Sequence, residues 1–248
     1  MKNISIIMPT YNSEKFVVES INSIINQTYE QWELIVVDDK STDNTVKVIK
    51  EKFGKYKNIK IVENKINSGA GVTRNVGLEH AKGSMIAFLD SDDVWHYKKL
   101  ESQMKKMQES DCAIIHTSYA FISETGDKIN GKVNVSNIVD LNSYMKNTEI
   151  GMSTALINKD KVGSFKFDSM RTRQDTNLWL TLLSKGFTSQ GINDELVQYR
   201  VRKGQISKNK AVVGYRTLKL YLSVKSISLP KRLLNFFYYT FNGFKKRM

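Results

Sequence analysis

Three carboxylates fall within four positions at Asp90-Ser91-Asp92-Asp93, directly after the apolar run Ile86-Ala87-Phe88-Leu89. Such a run reads as a buried strand, and ionised carboxylates beside one need a partner. Clustered oxygen ligands suit a hard divalent cation, which can itself bridge the phosphates of a nucleotide. In an open parallel sheet, ligands collect outside the carboxyl ends of the strands. The competing reading is a polar turn in which Asp93 caps the next helix.

The elements that must position this cluster are legible by period. Ile4-Ser5-Ile6-Ile7-Met8 reads as a first buried strand ended by Pro9, and Ser13 as the N-cap of a helix. Residues 32–37 form a second strand running into Asp38-Asp39, a helix follows to about residue 53, and residues 59–62 make a short third strand. Residues 67–77 are a glycine-bearing entry to a helix, where glycine permits tight turns and close backbone approach. Residues 84–89 are the fourth strand. Strand and helix alternating over residues 1–110 predict an α/β fold, a mainly parallel sheet with helices on both faces.

The second half is less regular. Strands are expected at residues 113–117 and 153–157, with a variable excursion over 128–150. A helix from about Asp175 to Lys185 carries Leu178, Trp179, Leu182 and Leu183 on one face and stops at Gly186.

Charge divides the chain. The formal net charge is +13, yet residues 1–195 hold 25 basic and 25 acidic side chains. Residues 196–248 hold 13 basic residues and no acidic one. A basic excess confined to one end argues against a nucleic-acid-binding module and points to an anionic membrane surface. Within that end, the aromatic-rich Leu233-Leu234-Asn235-Phe236-Phe237-Tyr238-Tyr239-Thr240-Phe241 is flanked by Lys231-Arg232 and Lys245-Lys246-Arg247. This pattern suits an interfacial helix; packing back on the domain or forming a homodimer are the alternatives. The one cysteine, Cys112, excludes an internal disulfide and a cysteine-rich zinc site. No signal-peptide layout and no bilayer-length apolar run are present, so a cytoplasmic setting is expected.

The ordered motifs Pro9-Thr10-Tyr11-Asn12, Val36-Val37-Asp38-Asp39-Lys40-Ser41-Thr42-Asp43, Arg74-Asn75-Val76-Gly77 and Phe88-Leu89-Asp90-Ser91-Asp92-Asp93 closely resemble the family 2 glycosyltransferases over about residues 3–200. The resemblance implies an inverting enzyme of the GT-A fold with a Rossmann-like sheet, using a nucleotide-sugar donor with Mn²⁺ or Mg²⁺. It implies a transferase domain at 1–205, with a nucleotide-sugar half at about 1–110 and an acceptor half at 111–205, and a basic helical extension at 206–248. Pro9, Thr10 and Tyr11 then shape the nucleobase site, and Asp39 matches the uracil-binding aspartate. Arg74 matches a contact to base or diphosphate. Asp90 and Ser91 border the donor, with Asp92 the direct metal ligand and Asp90 reaching ribose or metal.

The family places its catalytic base as the Asp of a Glu-Asp pair at a helix start. Here the match is Gln174-Asp175, with Gln replacing Glu, so Asp175 is the expected base and Gln174 lies beside it; the competing role for Asp175 is a helix cap. Trp95, Arg173, Arg200 and Arg202 are expected around the sugar and acceptor pocket, with Trp179 a further candidate whose helical spacing suits the core better, and Tyr199-Arg200 with Ser207 resembles a C-terminal loop that closes over the diphosphate in relatives. The expected reaction is transfer of one hexosyl unit from a UDP-sugar to a glycan or polyprenyl-diphosphate-linked acceptor in O-antigen or capsule assembly, at the inner face of the plasma membrane. A sugar-phosphate nucleotidyltransferase is the enzymatic alternative. That class carries a glycine- and arginine-rich loop after its first strand, where this chain has Pro9-Thr10-Tyr11-Asn12.

Overall fold

The computed structural model describes residues 3–202 and 210–245. Its first half repeats strand and helix: β1 (Ile4–Thr10), α1 (Val17–Ile25), β2 (Trp32–Asp38), α2 (Thr45–Phe53), β3 (Ile59–Glu63), α3 (Ala70–His80) and β4 (Met85–Phe88). β1 pairs in parallel with both β2 and β4, and β2 with β3. The order β3-β2-β1-β4 puts a switch in winding direction between β1 and β4. Crevices for ligands open at such points, outside the carboxyl ends of the strands.

The chain then passes through β5 (Val94–Trp95), α4 (Lys99–Glu109), β6 (Ile114–Ile122), β7 (Lys128–Val133), β8 (Ile138–Val139) and α5 (Leu141–Lys146). A 3₁₀ turn at Met152–Thr154 leads to β9 (Leu156–Asn158), α6 (Lys159–Val162), α7 (Gln174–Ser184) and β10 (Ser189–Arg200). β9 is antiparallel to both β4 and β6 and joins the two halves into one sheet. The expected strand at 153–157 thus begins later, at Leu156. The expected excursion at 128–150 contains two strands and a helix.

Apolar strand residues are buried on both sheet faces. Ile4, Ile6, Met8, Leu34, Val36 and Ala87 pack towards α1 and α4, while Ile7, Ile86 and Phe88 pack with Leu178, Trp179 and Leu182 of α7. This two-sided burial is why the central strands read as continuous apolar runs.

Two local expectations are corrected. α1 begins at Val17, and the Ser13 carbonyl accepts from the Phe16 and Val17 amides, while the Ser13 hydroxyl meets the Ser91 hydroxyl at 2.8 Å. Asp93 does not cap a helix, because the chain first forms β5 and α4 starts only at Lys99.

The C-terminal helices α8 (Lys210–Ser223) and α9 (Leu229–Lys245) are docked on the body. Tyr221 is fully buried and its hydroxyl donates to the Met145 carbonyl at 2.6 Å. Asn235 Nδ2 donates to Asn142 Oδ1 at 2.9 Å, and Asn242 Nδ2 to the Lys146 carbonyl at 3.0 Å. The opposite face of α9 exposes Leu233, Leu234, Phe237, Tyr238 and Phe241.

Candidate active site

A cleft of about 730 Å³ lies over the carboxyl ends of β1, β2 and β4. It is bordered by Pro9, Thr10, Tyr11, Asp39, Arg74, Asp90, Ser91, Asp92, Arg173, Gln174 and Asp175. Residues distant in sequence are therefore gathered at one place.

At one end, Asp39 follows β2. Its Oδ1 accepts from the Ser68 amide at 2.9 Å and Asn64 Nδ2 at 3.0 Å, and its Oδ2 accepts from the Gly69 amide at 2.7 Å. Burial pushes this carboxyl upward, but the bonds from Ser68, Asn64, Gly69 and Thr73 outweigh it and hold the acid below its ordinary range. A carboxylate oxygen carries two acceptor directions, so Oδ2 keeps capacity for one further donor. Tyr11 stands half exposed at the same end. Gly69 has φ 87°, a left-handed value that a side chain would strain. Asp38 accepts from the Ser41 amide and hydroxyl, and Asp43 from the Thr45 amide and hydroxyl, so both shape turns.

Across the floor, buried Arg74 donates through Nη2 to Asp90 Oδ1 at 2.5 Å. Its Nε and Nη1 are buried without partners. The pair crosses from α3 to the acidic turn. Asp92 forms an ion pair with Arg202 Nε at 2.7 Å. Its own burial, and then the neighbouring Asp90 charge, push the Asp92 carboxyl upward against the pull of Arg202. Asp93 is fully enclosed, accepting from the Ser153 hydroxyl at 2.6 Å and the Arg200 amide at 3.1 Å; burial and the Asp92 and Asp90 charges raise its carboxyl strongly.

At the far end, α7 opens with Gln174-Asp175. Asp175 lies in the first turn of α7, where its Oδ1 accepts from the Thr176 amide at 2.7 Å, and its side chain also borders the cleft. The N-cap position belongs to Arg173 and no side chain caps this helix, so the cap role weighed for Asp175 is not the one it takes. The preceding Arg173 has φ 66° and ψ 14°, a left-handed conformation uncommon outside glycine and one that clusters at functional sites. Arg171 closes the rim by donating to Asn67 Oδ1 at 2.8 Å. Gly71 of α3 allows the approach: a Cβ there would lie 2.6 Å from the Asp168 carbonyl and 3.3 Å from Gln174.

A smaller cavity of about 240 Å³ adjoins the cleft and shares Asp90, Arg173, Asp175 and Tyr199 with it. Its inner wall includes Tyr119, Tyr144, Gly151 and Ser153. Sequence reasoning missed these residues: Tyr119 lies within β6, and the others in or beside the irregular 128–150 stretch. It also missed Arg171, whose one signal was its place beside Arg173 just before Asp175, and the role of Asn67, which opens the glycine-bearing stretch 67–77.

Three expected pocket residues are placed elsewhere. Trp95 is buried in the core, its Nε1 donating to the Ser153 carbonyl at 2.8 Å and its ring facing Lys99 Nζ at 3.8 Å. Trp179 is fully buried in the α7 core. Arg200 is buried behind the acidic turn, donating to the Asp92 carbonyl at 2.8 Å and to Glu19 Oε2 at 2.5 Å. None of the three borders either cavity. Arg202, by contrast, lies on Asp92, and Ser207 lies outside the described residues.

Among the described residues, no three His, Cys, Asp or Glu side chains gather into a metal cage. Asp90 and Asp92 remain, and Mg²⁺ is commonly held by one or two carboxylates with substrate phosphates completing the shell; carboxylate oxygens suit Mn²⁺ as well. Asp92 is raised first by its burial and then by the Asp90 charge, and a cation placed between these two carboxylates would offset both.

The fold is that of GT-A glycosyltransferases. It matches the Staphylococcus aureus TarS 1-349 structure in complex with UDP at a TM-score of 0.72 and 22% identity, over 96% of this chain and 70% of that one. It also matches a Pyrobaculum calidifontis mannosyltransferase in complex with GDP-Man and Mn²⁺ at 0.70 and 16%, over 96% and 68%. Among relatives in sequence, a Bacillus subtilis protein provisionally named the teichuronic acid biosynthesis glycosyltransferase TuaG is 36% identical across 99% of this chain and 97% of its own. The Escherichia coli UDP-Glc:alpha-D-GlcNAc-diphosphoundecaprenol beta-1,3-glucosyltransferase WfgD is 34% identical across 98% and 94%. A sequence model described as Glycosyl transferase family 2 matches residues 5–172. The chain belongs to that family and is a glycosyltransferase; the nucleotidyltransferase alternative gives way to it.

Proposed function

We propose that this enzyme moves one hexosyl unit from a UDP-sugar to a polyprenyl-diphosphate-linked acceptor in O-antigen or capsule assembly. The observation that carries the reading is one cleft bordered by Asp39, Arg74, Asp90, Asp92 and Asp175. WfgD, named for glucose transfer to such a lipid, supports glucose as the first donor to try, ahead of galactose and N-acetylhexosamines.

In this reading Asp39 accepts the N3–H of uracil and Tyr11 covers the base. Arg74 turns its free guanidinium edge to the diphosphate, whose oxygens suit the planar fork of donors. Asp90 and Asp92 would hold Mn²⁺ or Mg²⁺, which when bound would offset charge on the leaving diphosphate. Asp175 takes the proton of the acceptor hydroxyl as its oxygen attacks the anomeric carbon. The bond from that carbon to the diphosphate breaks on the opposite side, so configuration inverts.

The exposed apolar face of α9 and the acid-free basic C-terminal stretch support docking on the inner, anionic leaflet, each cation near the surface adding about 1 kcal/mol. No helix among the described residues is long and apolar enough to cross a membrane.

The test is UDP release from a UDP-sugar panel, with Mn²⁺ or EDTA and an N-acetylglucosaminyl-diphospho-lipid acceptor, run beside calorimetric donor binding. Metal-dependent binding of one UDP-sugar, lost in Asp92→Ala and kept in the inactive Asp175→Asn, is expected. No binding of any UDP compound with metal present would remove the uracil assignment of Asp39.

A further inference from the structure

We infer that Arg173 is the anion subsite for the acceptor's diphosphate, and that Tyr239 of α9 is the positioning residue that aims it. This rests on the lipid-linked acceptor proposed above.

Four arginines border the larger cavity, and three have acidic or amide partners there. Arg74 pairs with Asp90, Arg202 with Asp92, and Arg171 with Asn67. Arg173 donates from Nη2 to the Tyr239 hydroxyl at 2.6 Å, with its guanidinium carbon 5.8 Å from that ring's centre. Its Nε is buried with no partner. A phenol does not neutralise a guanidinium, so the charge at the junction of the two cavities has no carboxylate partner among the described residues. An unsatisfied buried donor of this kind needs an explanation, and a bound anion supplies one.

Position fits a particular ligand. Arg173 is two residues before Asp175, which limits their Cα separation to roughly 7 Å. In a sugar diphosphate acceptor, one pyranose ring separates the attacking hydroxyl from the phosphate on the anomeric carbon. A base at Asp175 therefore leaves the acceptor's phosphate beside Arg173. Asp90, Asp92 and Asp175 would otherwise repel that anion.

Tyr239 is itself held. Its ring stacks on Phe236 at 6.0 Å and meets Tyr221 edge-on at 6.0 Å. Arg216 of α8 donates to Thr172, fixing the neighbouring residue of the same loop. Arg173 keeps its left-handed conformation between these contacts. Tyr239 thus lies on the inner face of the helix whose outer face exposes Phe237 and Phe241, so the element with the exposed apolar face also orients the arginine that receives the acceptor's diphosphate.

The probe is farnesyl diphosphate, titrated by calorimetry into the full chain saturated with UDP and Mn²⁺, with farnesol as the phosphate-free control. Wild type is expected to bind the diphosphate. Arg173→Gln should weaken it about tenfold, the loss of a charge-assisted contact, and Arg173→Lys should recover part of the loss. Tyr239→Phe, which keeps the ring, should weaken it several-fold. In turnover it should raise KM for the lipid acceptor with kcat and the donor KM unchanged. UDP affinity and farnesol binding should be the same in all variants. Equal farnesyl diphosphate affinity in wild type and Arg173→Gln overturns the subsite, as does its absence in wild type. Failure of the transferase reading registers separately, as no UDP binding in the first titration.

Discussion

Arg74 Nη2 lies 2.5 Å from Asp90 Oδ1, so the helix that follows β3 is joined to the acidic turn that follows β4 by one ion pair on the cleft floor. The Arg74 side chain is only 4% exposed and that of Asp90 33%, which makes the arginine the more costly partner to leave alone. Arg74→Ala should raise the Kd for UDP about tenfold, equivalent to about 1.4 kcal/mol. Asp90→Asn should lower the melting temperature through the unpaired Arg74. Calorimetry and thermal unfolding check the two effects.

Gly71 is where α3 touches the loop that leads to Asp175 in α7. In Gly71→Ala, a methyl 2.6 Å from the Asp168 carbonyl must push backbone aside. Overpacking of this kind costs about 1–3 kcal/mol. The expected result is a fall in kcat larger than the change in UDP affinity, read by steady-state kinetics and calorimetry.

Asp39 gives a pH signature. Its folded carboxyl is held below its ordinary range, so the unfolded chain binds this proton more readily. The stabilisation is complete above the unfolded value of about 3.9 and is lost as pH falls through the lower folded value. Asp39→Asn should cost about 1–3 kcal/mol at neutral pH, with the gap from wild type narrowing in acid. Urea midpoints at several pH values measure it.

Trp95 separates packing from substrate contact. Trp95→Phe loses the hydrogen bond to the Ser153 carbonyl and weakens the face offered to Lys99. It should reduce the urea midpoint while leaving donor KM within about twofold, a shift well under 1 kcal/mol. A donor KM raised by an order of magnitude would return Trp95 to the sugar pocket.

Phe237 and Phe241 test the outer face of α9. Their replacement by Glu should reduce sedimentation with anionic vesicles and leave UDP binding intact, since both side chains are exposed. Sedimentation equal to wild type would remove the membrane role of this face.

The sequence carried the parallel half of the fold because buried strands such as β1 and β2 are continuous apolar runs, and each ends in a polar motif. Asp39, Asp90 and Asp92 were legible for the same reason: strand ends fix where they must gather. β10 was not, since Gln190, Asn193, Asp194 and Glu195 interrupt its pattern and register shifts lie between Ile192, Glu195 and Val197. Trp95 was misread because nearness to Asp92 in sequence says nothing about side-chain direction; β5 turns it into the core. The pairing of Arg173 with Tyr239 spans 66 residues, and no local pattern encodes a contact between a loop and a distant helix.

β9 has a consequence for the order of folding. Until Leu156–Asn158 arrive, β4 is the open edge of a four-stranded parallel sheet, able to pair with any other exposed strand. Non-local pairing of this kind is slow and leaves nascent chains prone to aggregation. Ser153, just ahead of β9, donates to Asp93 and accepts from the Asp90 amide. The acidic turn therefore takes its final geometry in the same event that closes the sheet, and a chain caught before that step has neither a sealed edge nor a working site.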